Sequence, residues 1–157
     1  MKLATETRKH EKDPGRVRAF VLSWLFFVFL GSSMSAQSQP RTIAKGDQSN
    51  IESPMQTVVR TDAEWSALWH RHAFEREKPN VDFSKEIVIA VFMGSRPNAG
   101  FSTTILSALA VKGVLVVRYR ETMPSPGALT AQVLTFPYHI VAIPKVEVTD
   151  VRFQKAE

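Results

Sequence analysis

The sequence predicts a mainly β fold, an antiparallel sandwich or open barrel of about seven strands with one amphipathic helix near the start of the domain. Three observations predict it. Ile87–Met93 (IVIAVFM) is a continuous apolar run rich in β-branched residues, the pattern of a strand buried on both faces. Further short runs follow at the spacing of sandwich strands, separated by Pro- and Gly-bearing turns. Only one segment, Asp62 to Phe74, carries apolar residues at helical spacing.

Residues 1–36 have the order of a secretory signal peptide. Met1 to Arg18 is polar and basic, Ala19 to Leu30 (AFVLSWLFFVFL) is apolar, and small residues lead to Ala36. The apolar stretch is shorter than the roughly 20 residues of a membrane span. The sequence therefore predicts export with cleavage after Ala36, and the alternative is an uncleaved leader that anchors the chain to the inner membrane. Residues 37–54 (QSQPRTIAKGDQSNIESP) are polar and broken by proline and glycine, so they are expected to form a flexible lead-in. Residues 55–157 are expected to form a single domain.

Within it, Met55–Arg60 predicts a short strand. Thr61-Asp62-Ala63-Glu64 is a capping box, in which Thr61 and Glu64 satisfy each other's backbone donors. Trp65, Leu68, Trp69 and His72 then fall on one helical face, and the charged run Glu75–Lys78 before Pro79 ends the helix. After Ile87–Met93 comes the loop Gly94–Gly100 and an alternating strand, Phe101–Leu109. Lys112-Gly113 marks a hairpin turn into Leu115–Glu121, with Arg118 and Arg120 on one face and Val117 and Tyr119 on the other. Thr122–Gly127 is a loop. Ala128–Thr135, Tyr138–Ile143 and Glu147–Phe153 complete the predicted strands.

Charge and composition exclude several functions. The leader holds 6 of the 20 Lys and Arg and 3 of the 15 Asp and Glu, so the remainder carries 14 against 12, only +2. That balance gives no basis for nucleic-acid binding, and the membrane enters only through an uncleaved leader. The chain has no cysteine, so lipidation at an N-terminal cysteine, disulfides, thiol catalysis and thiolate metal sites are all excluded. His70 and His72 point about 200° apart on a helix, and no carboxylate stands at ligand spacing, so no metal and no cofactor is expected. His72 is expected at the helix edge. Ser102, His139 and Asp82 have the residue types of a triad, but the nucleophile-elbow pattern Gly-x-Ser-x-Gly is absent. No catalytic residues are assigned.

The candidate contact site is the loop Gly94–Phe101. Pro97 fixes a backbone dihedral, while Asn98 and Gly100 tolerate positive φ, which a long strand connection requires whether or not it binds anything. Two anchored strands are expected to hold Arg96 and Asn98 out in solvent. Arg96, Pro97, Asn98 and Phe101 are the residues expected to meet a protein partner, since arginine and aromatic side chains anchor interfaces.

The ordered set Asp62-x-Glu64-Trp65-x-x-Leu68-Trp69, Pro79-x-Val81-Asp82-Phe83-Ser84, Arg96-Pro97-Asn98-Ala99-Gly100-Phe101 and Pro137-Tyr138-His139-Ile140-Val141 resembles the C-terminal domain family of the PrcB-type protease-complex subunit. The likeness spans Val58 to Phe153. It implies a small, mostly β, secreted or envelope domain, in one instance the non-catalytic partner of a surface protease. The family's loop usually reads Gly-x-Arg-Pro-Thr-Gly-Gly-Tyr; Asn98, Ala99 and Phe101 depart from it. The loop alone also looks like the Asn-Pro-Thr-Thr-Gly-aromatic loop of chagasin-type protease inhibitors. The expected function is an exported, non-catalytic accessory or interaction domain, for which the resemblance implies a protease complex as partner. The alternatives are a chagasin-like inhibitor using residues 94–101 and a small sugar-binding or hydrolase domain.

Overall fold

A computed structural model describes residues 39–157, so the predicted signal peptide lies outside the described residues. The described residues form seven strands and one helix: β1 (Arg41–Gly46), β2 (Met55–Val59), α1 (Asp62–Ala73), β3 (Glu86–Phe92), β4 (Ser102–Val111), β5 (Val114–Thr122), β6 (Tyr138–Pro144) and β7 (Asp150–Ala156). They form a four-stranded sheet in the order β1-β6-β3-β2 and a three-stranded sheet in the order β4-β5-β7. The architecture is sandwich-like, with no closed barrel, as the strand pattern predicts.

The continuous apolar runs are explained by a sheet covered on both sides. Val88, Ala90, Phe92 and Ile140 face α1 and pack with Trp65, Leu68 and Trp69. Their neighbours Ile87, Ile89, Val91, Val141 and Ile143 face the second sheet and pack with Ile105, Leu115 and Val117. Helix, four-stranded sheet and three-stranded sheet therefore form three layers with β3 and β6 at the centre.

The helix begins at the predicted capping box: Thr61 Oγ1 accepts from Glu64 N, and the Glu64 carboxylate accepts from Thr61 N. Trp65 is fully buried and donates its indole N–H to Pro79 O at 2.9 Å. Trp69 donates likewise to Arg76 O. Each indole thus buries its rings while keeping its polar edge paired.

Four expectations are corrected. The polar stretch 37–54 contains β1, which pairs antiparallel with β6 from Arg41↔Ala142 to Gly46↔Tyr138 with a bulge between Thr42 and Ala44. Residues 49–51 are also fixed: Asn50 N donates to His72 O, and Ser49 Oγ lies 2.8 Å from His72 Nδ1. His72 accordingly sits inside the core, fully buried, rather than at a helix edge. Ala128–Thr135 is not a strand; only Thr135 makes an isolated bridge, to Arg96. The last strand is displaced to Asp150–Ala156 and pairs parallel with β5, so the sandwich is antiparallel except at that pairing.

Candidate functional site

One pole of the sandwich is built from two long connections. β3 leads through residues 93–101 into β4, and β5 leads through residues 123–137 into β6. Outside a regular sheet their backbone groups need other partners, and each loop supplies the other's. Arg96 N donates to Thr135 O at 2.8 Å and Thr135 N to Arg96 O at 2.9 Å, while Ala99 N donates to Ala131 O. Thr135 Oγ1 donates to Asn98 O. Met93 N donates to Pro137 O, continuing the zipper from the β3–β6 ladder.

Gly100 lets the two loops come this close, and Gly94 packs the first loop against residues 52–54. Gly94 has φ +73°, and a Cβ there would lie 2.6 Å from Glu52 O. Gly100 has φ +100°, and its Cβ would meet Pro124 Cγ at 3.0 Å and Thr130 Cγ2 at 3.2 Å. Both the dihedral and the space call for glycine.

The predicted contact residues are placed unequally. Pro97 is exposed, whereas Arg96, Asn98 and Phe101 are each half-buried. The Arg96 guanidinium lies 5.9 Å from the centroid of the Phe101 ring and donates to Ser95 O. Asn98 Oδ1 is buried with no partner among the described residues. The loop is therefore folded onto residues 123–135 instead of standing free in solvent, because its backbone donors are consumed by the second connection.

That second connection holds what the sequence reading missed. Leu129 is fully exposed, Met123 is 71% exposed, and Val133 and Leu134 are each about half exposed. From Thr122 to Pro144 there is no Asp, Glu, Lys or Arg. Arg96, whose backbone pairs with Thr135, is the one charged residue in the two connections. A strand assignment for Ala128–Thr135 hides this, since it assigns Leu129 and Val133 to a buried face. The available signal was the length of uncharged sequence bounded by Pro124, Pro126 and Pro137.

The remaining chemistry-bearing residues are occupied structurally. Ile105 N donates to His139 Nδ1 at 2.8 Å, so Nε2 carries the proton and reaches Thr42 Oγ1 at 3.0 Å. His139 thereby ties β6 to the bulge of β4 and to β1. Burial pushes the pKa of both His72 and His139 down to about 4, with Arg76 adding to the effect on the first and Lys45 on the second. Asp82 accepts from Ser84, which with Lys85 holds its carboxyl below the usual range. Ser102 lies at the loop pole and Asp82 just before β3, so these residues are not brought together as a triad. Among the described residues no three His, Asp or Glu side chains converge as a cation site, and no helix is long and apolar enough to cross a membrane.

Residues 87–144, from β3 through β6 and including both connections, match the model of the family described as PrcB C-terminal. This is the family whose motifs the sequence resembles. Searches of curated proteins and of solved structures return no match.

Proposed function

We propose that this chain is an exported, non-catalytic accessory domain that binds another protein through the pole formed by residues 94–101 and 123–135. The observation that carries this reading is the exposure of Met123, Leu129, Val133 and Leu134 on a connection without charge, which is hydrogen-bonded through Thr135 to the neighbouring loop at Arg96. Exposed aliphatic side chains together with an arginine and an aromatic have the composition of an interface core. The loop–loop hydrogen bonds prearrange that surface, which reduces the ordering cost of association. Likeness to the PrcB C-terminal family supports a role beside an envelope protease, in which this domain contributes contacts rather than catalytic groups.

The test is a pull-down from envelope extract of the native host, with the full chain as bait beside a triple variant, Arg96→Ala, Leu129→Ser and Leu134→Ser, whose melting temperature is unchanged. A partner held by the first bait and lost by the second supports the reading. A partner held equally by both overturns it. If the partner is a protease, its activity with and without the bait separates an accessory subunit from an inhibitor.

A further inference from the structure

A second surface lies away from the loop pole. β2 is the end strand of its sheet, and among the described residues no strand pairs with its outer edge. Alternate residues of an edge strand turn their N–H and C=O groups outward, unpaired. Met55, Thr57 and Val59 share the sheet face that α1 covers, since they pair with Phe92, Ala90 and Val88. Gln56 faces the other way, where it donates to Tyr119 Oη.

Alongside that edge runs a groove of about 320 Å³ between β2 and α1. Its helix wall is the stripe Glu64, Ala67, Leu68 and Arg71, which are one-face neighbours at helical spacing. Ala67 in the middle leaves the groove open. Glu64 marks one end, because its carboxylate accepts from Arg60 N and Thr61 N just after β2. Arg71 marks the other, where it also borders the cleft lined by Asn50 to Met55. Arg71 is exposed and makes no ion pair among the described residues. Seven helical residues separate the two charges, about 10.5 Å, the length of about three residues of extended chain.

We propose that the outer edge of β2 receives an extended peptide, which adds antiparallel to Met55–Val59 and places its C-terminal carboxylate at Arg71. The charges set the direction. A strand antiparallel to β2 runs from Val59 toward Met55, so its amino end passes Glu64 and its carboxyl end arrives at Arg71. Its main chain completes the hydrogen bonds that β2 leaves open, and every second side chain enters the groove beside Ala67 and Leu68. Strand addition of this kind reads the peptide's carboxyl end by charge and its small or β-branched side chains by the width of the groove.

The test uses the full chain and a fluorescein-labelled hexapeptide, Thr-Val-Thr-Val-Thr-Val, with a free C-terminus, followed by anisotropy. Binding is expected, and amidating the peptide C-terminus or introducing Arg71→Gln should weaken it tenfold or more. Ala67→Trp, at an exposed position, should abolish it by filling the groove. N-methylation of one alternate set of peptide amides should abolish binding while methylation of the other set leaves it intact, a result that needs no protein variant. Absence of binding overturns the proposal, as does equal loss with both methylated sets or binding that survives Ala67→Trp. Sedimentation of the chain alone adds a further arm: a dimer that Ala67→Trp dissociates would assign the edge to a second copy and overturn the peptide.

Discussion

The two buried histidines make stability depend on pH between about 6.5 and 4. In the folded chain both are held neutral, with pKa lowered from 6.5 to about 4. On unfolding each regains its ordinary affinity for protons. The unfolded state therefore binds more protons between those two values, and stability falls as pH drops from 6.5 toward 4. Above pH 6.5 the contribution is complete. At about 1.36 kcal/mol per pH unit, each histidine loses on the order of 3 kcal/mol across the window, and the pair about twice that. Against a domain stability of roughly 5–15 kcal/mol this removes about half or more of the total by pH 4. Asp82, whose pKa is also lowered, titrates below 3.8 and stays outside the window. Urea denaturation at half-unit steps from pH 7.5 to 4.5 measures the slope, which should approach about 2.7 kcal/mol per pH unit near pH 5.3 for two groups. His139→Gln should halve it, and so should His72→Gln. A flat profile between pH 6.5 and 5, or a slope that neither substitution changes, would refute the buried-neutral account of these side chains.

Three other substitutions test separate parts of the structure. Trp65→Ala removes a fully buried indole and its bond to Pro79 O, and should cost about 3–5 kcal/mol by chemical denaturation. Gly94→Ala sets a Cβ against Glu52 O at a positive φ and should cost about 1–3 kcal/mol, read as a lowered urea midpoint. Thr61→Ala removes half of the capping box and should cost about 1 kcal/mol, with Glu64→Ala costing nearly as much and the double variant less than the sum of the two.

Local signals were legible where local physics decides. The helix could be read because its cap, its tryptophan spacing and its charged end agree, and β3 and β6 because burial on both faces removes polar residues from the run. β1 was not legible: Arg41–Gly46 is polar on its exposed face, and what makes it a strand is a partner at Tyr138–Ala142, far along the chain. His72 was misplaced for a related reason. Its Nδ1 meets Ser49 Oγ, its Nε2 is buried with no partner among the described residues, and the ring is surrounded by Trp69, Phe92 and Tyr138, a pocket assembled from four separate segments. At the candidate site, Arg96, Pro97, Asn98 and Phe101 were singled out from turn chemistry. Leu129 and Leu134 were not, because alternating apolar residues look like a strand until the structure shows that no neighbour offers them a ladder.

The parallel pairing of β7 with β5 has a consequence for handling the protein. Because Arg120 stands opposite Ala156, the carboxyl end of the chain emerges at the same pole as the two connections. β1 enters at the other pole, where Arg41 lies beside Ala142 and bonds Glu86 at the start of β3. A fusion partner or surface tether appended after Glu157 would stand over Met123 and its neighbours and crowd them. The same attachment made ahead of residue 39 would leave that pole facing outward and open.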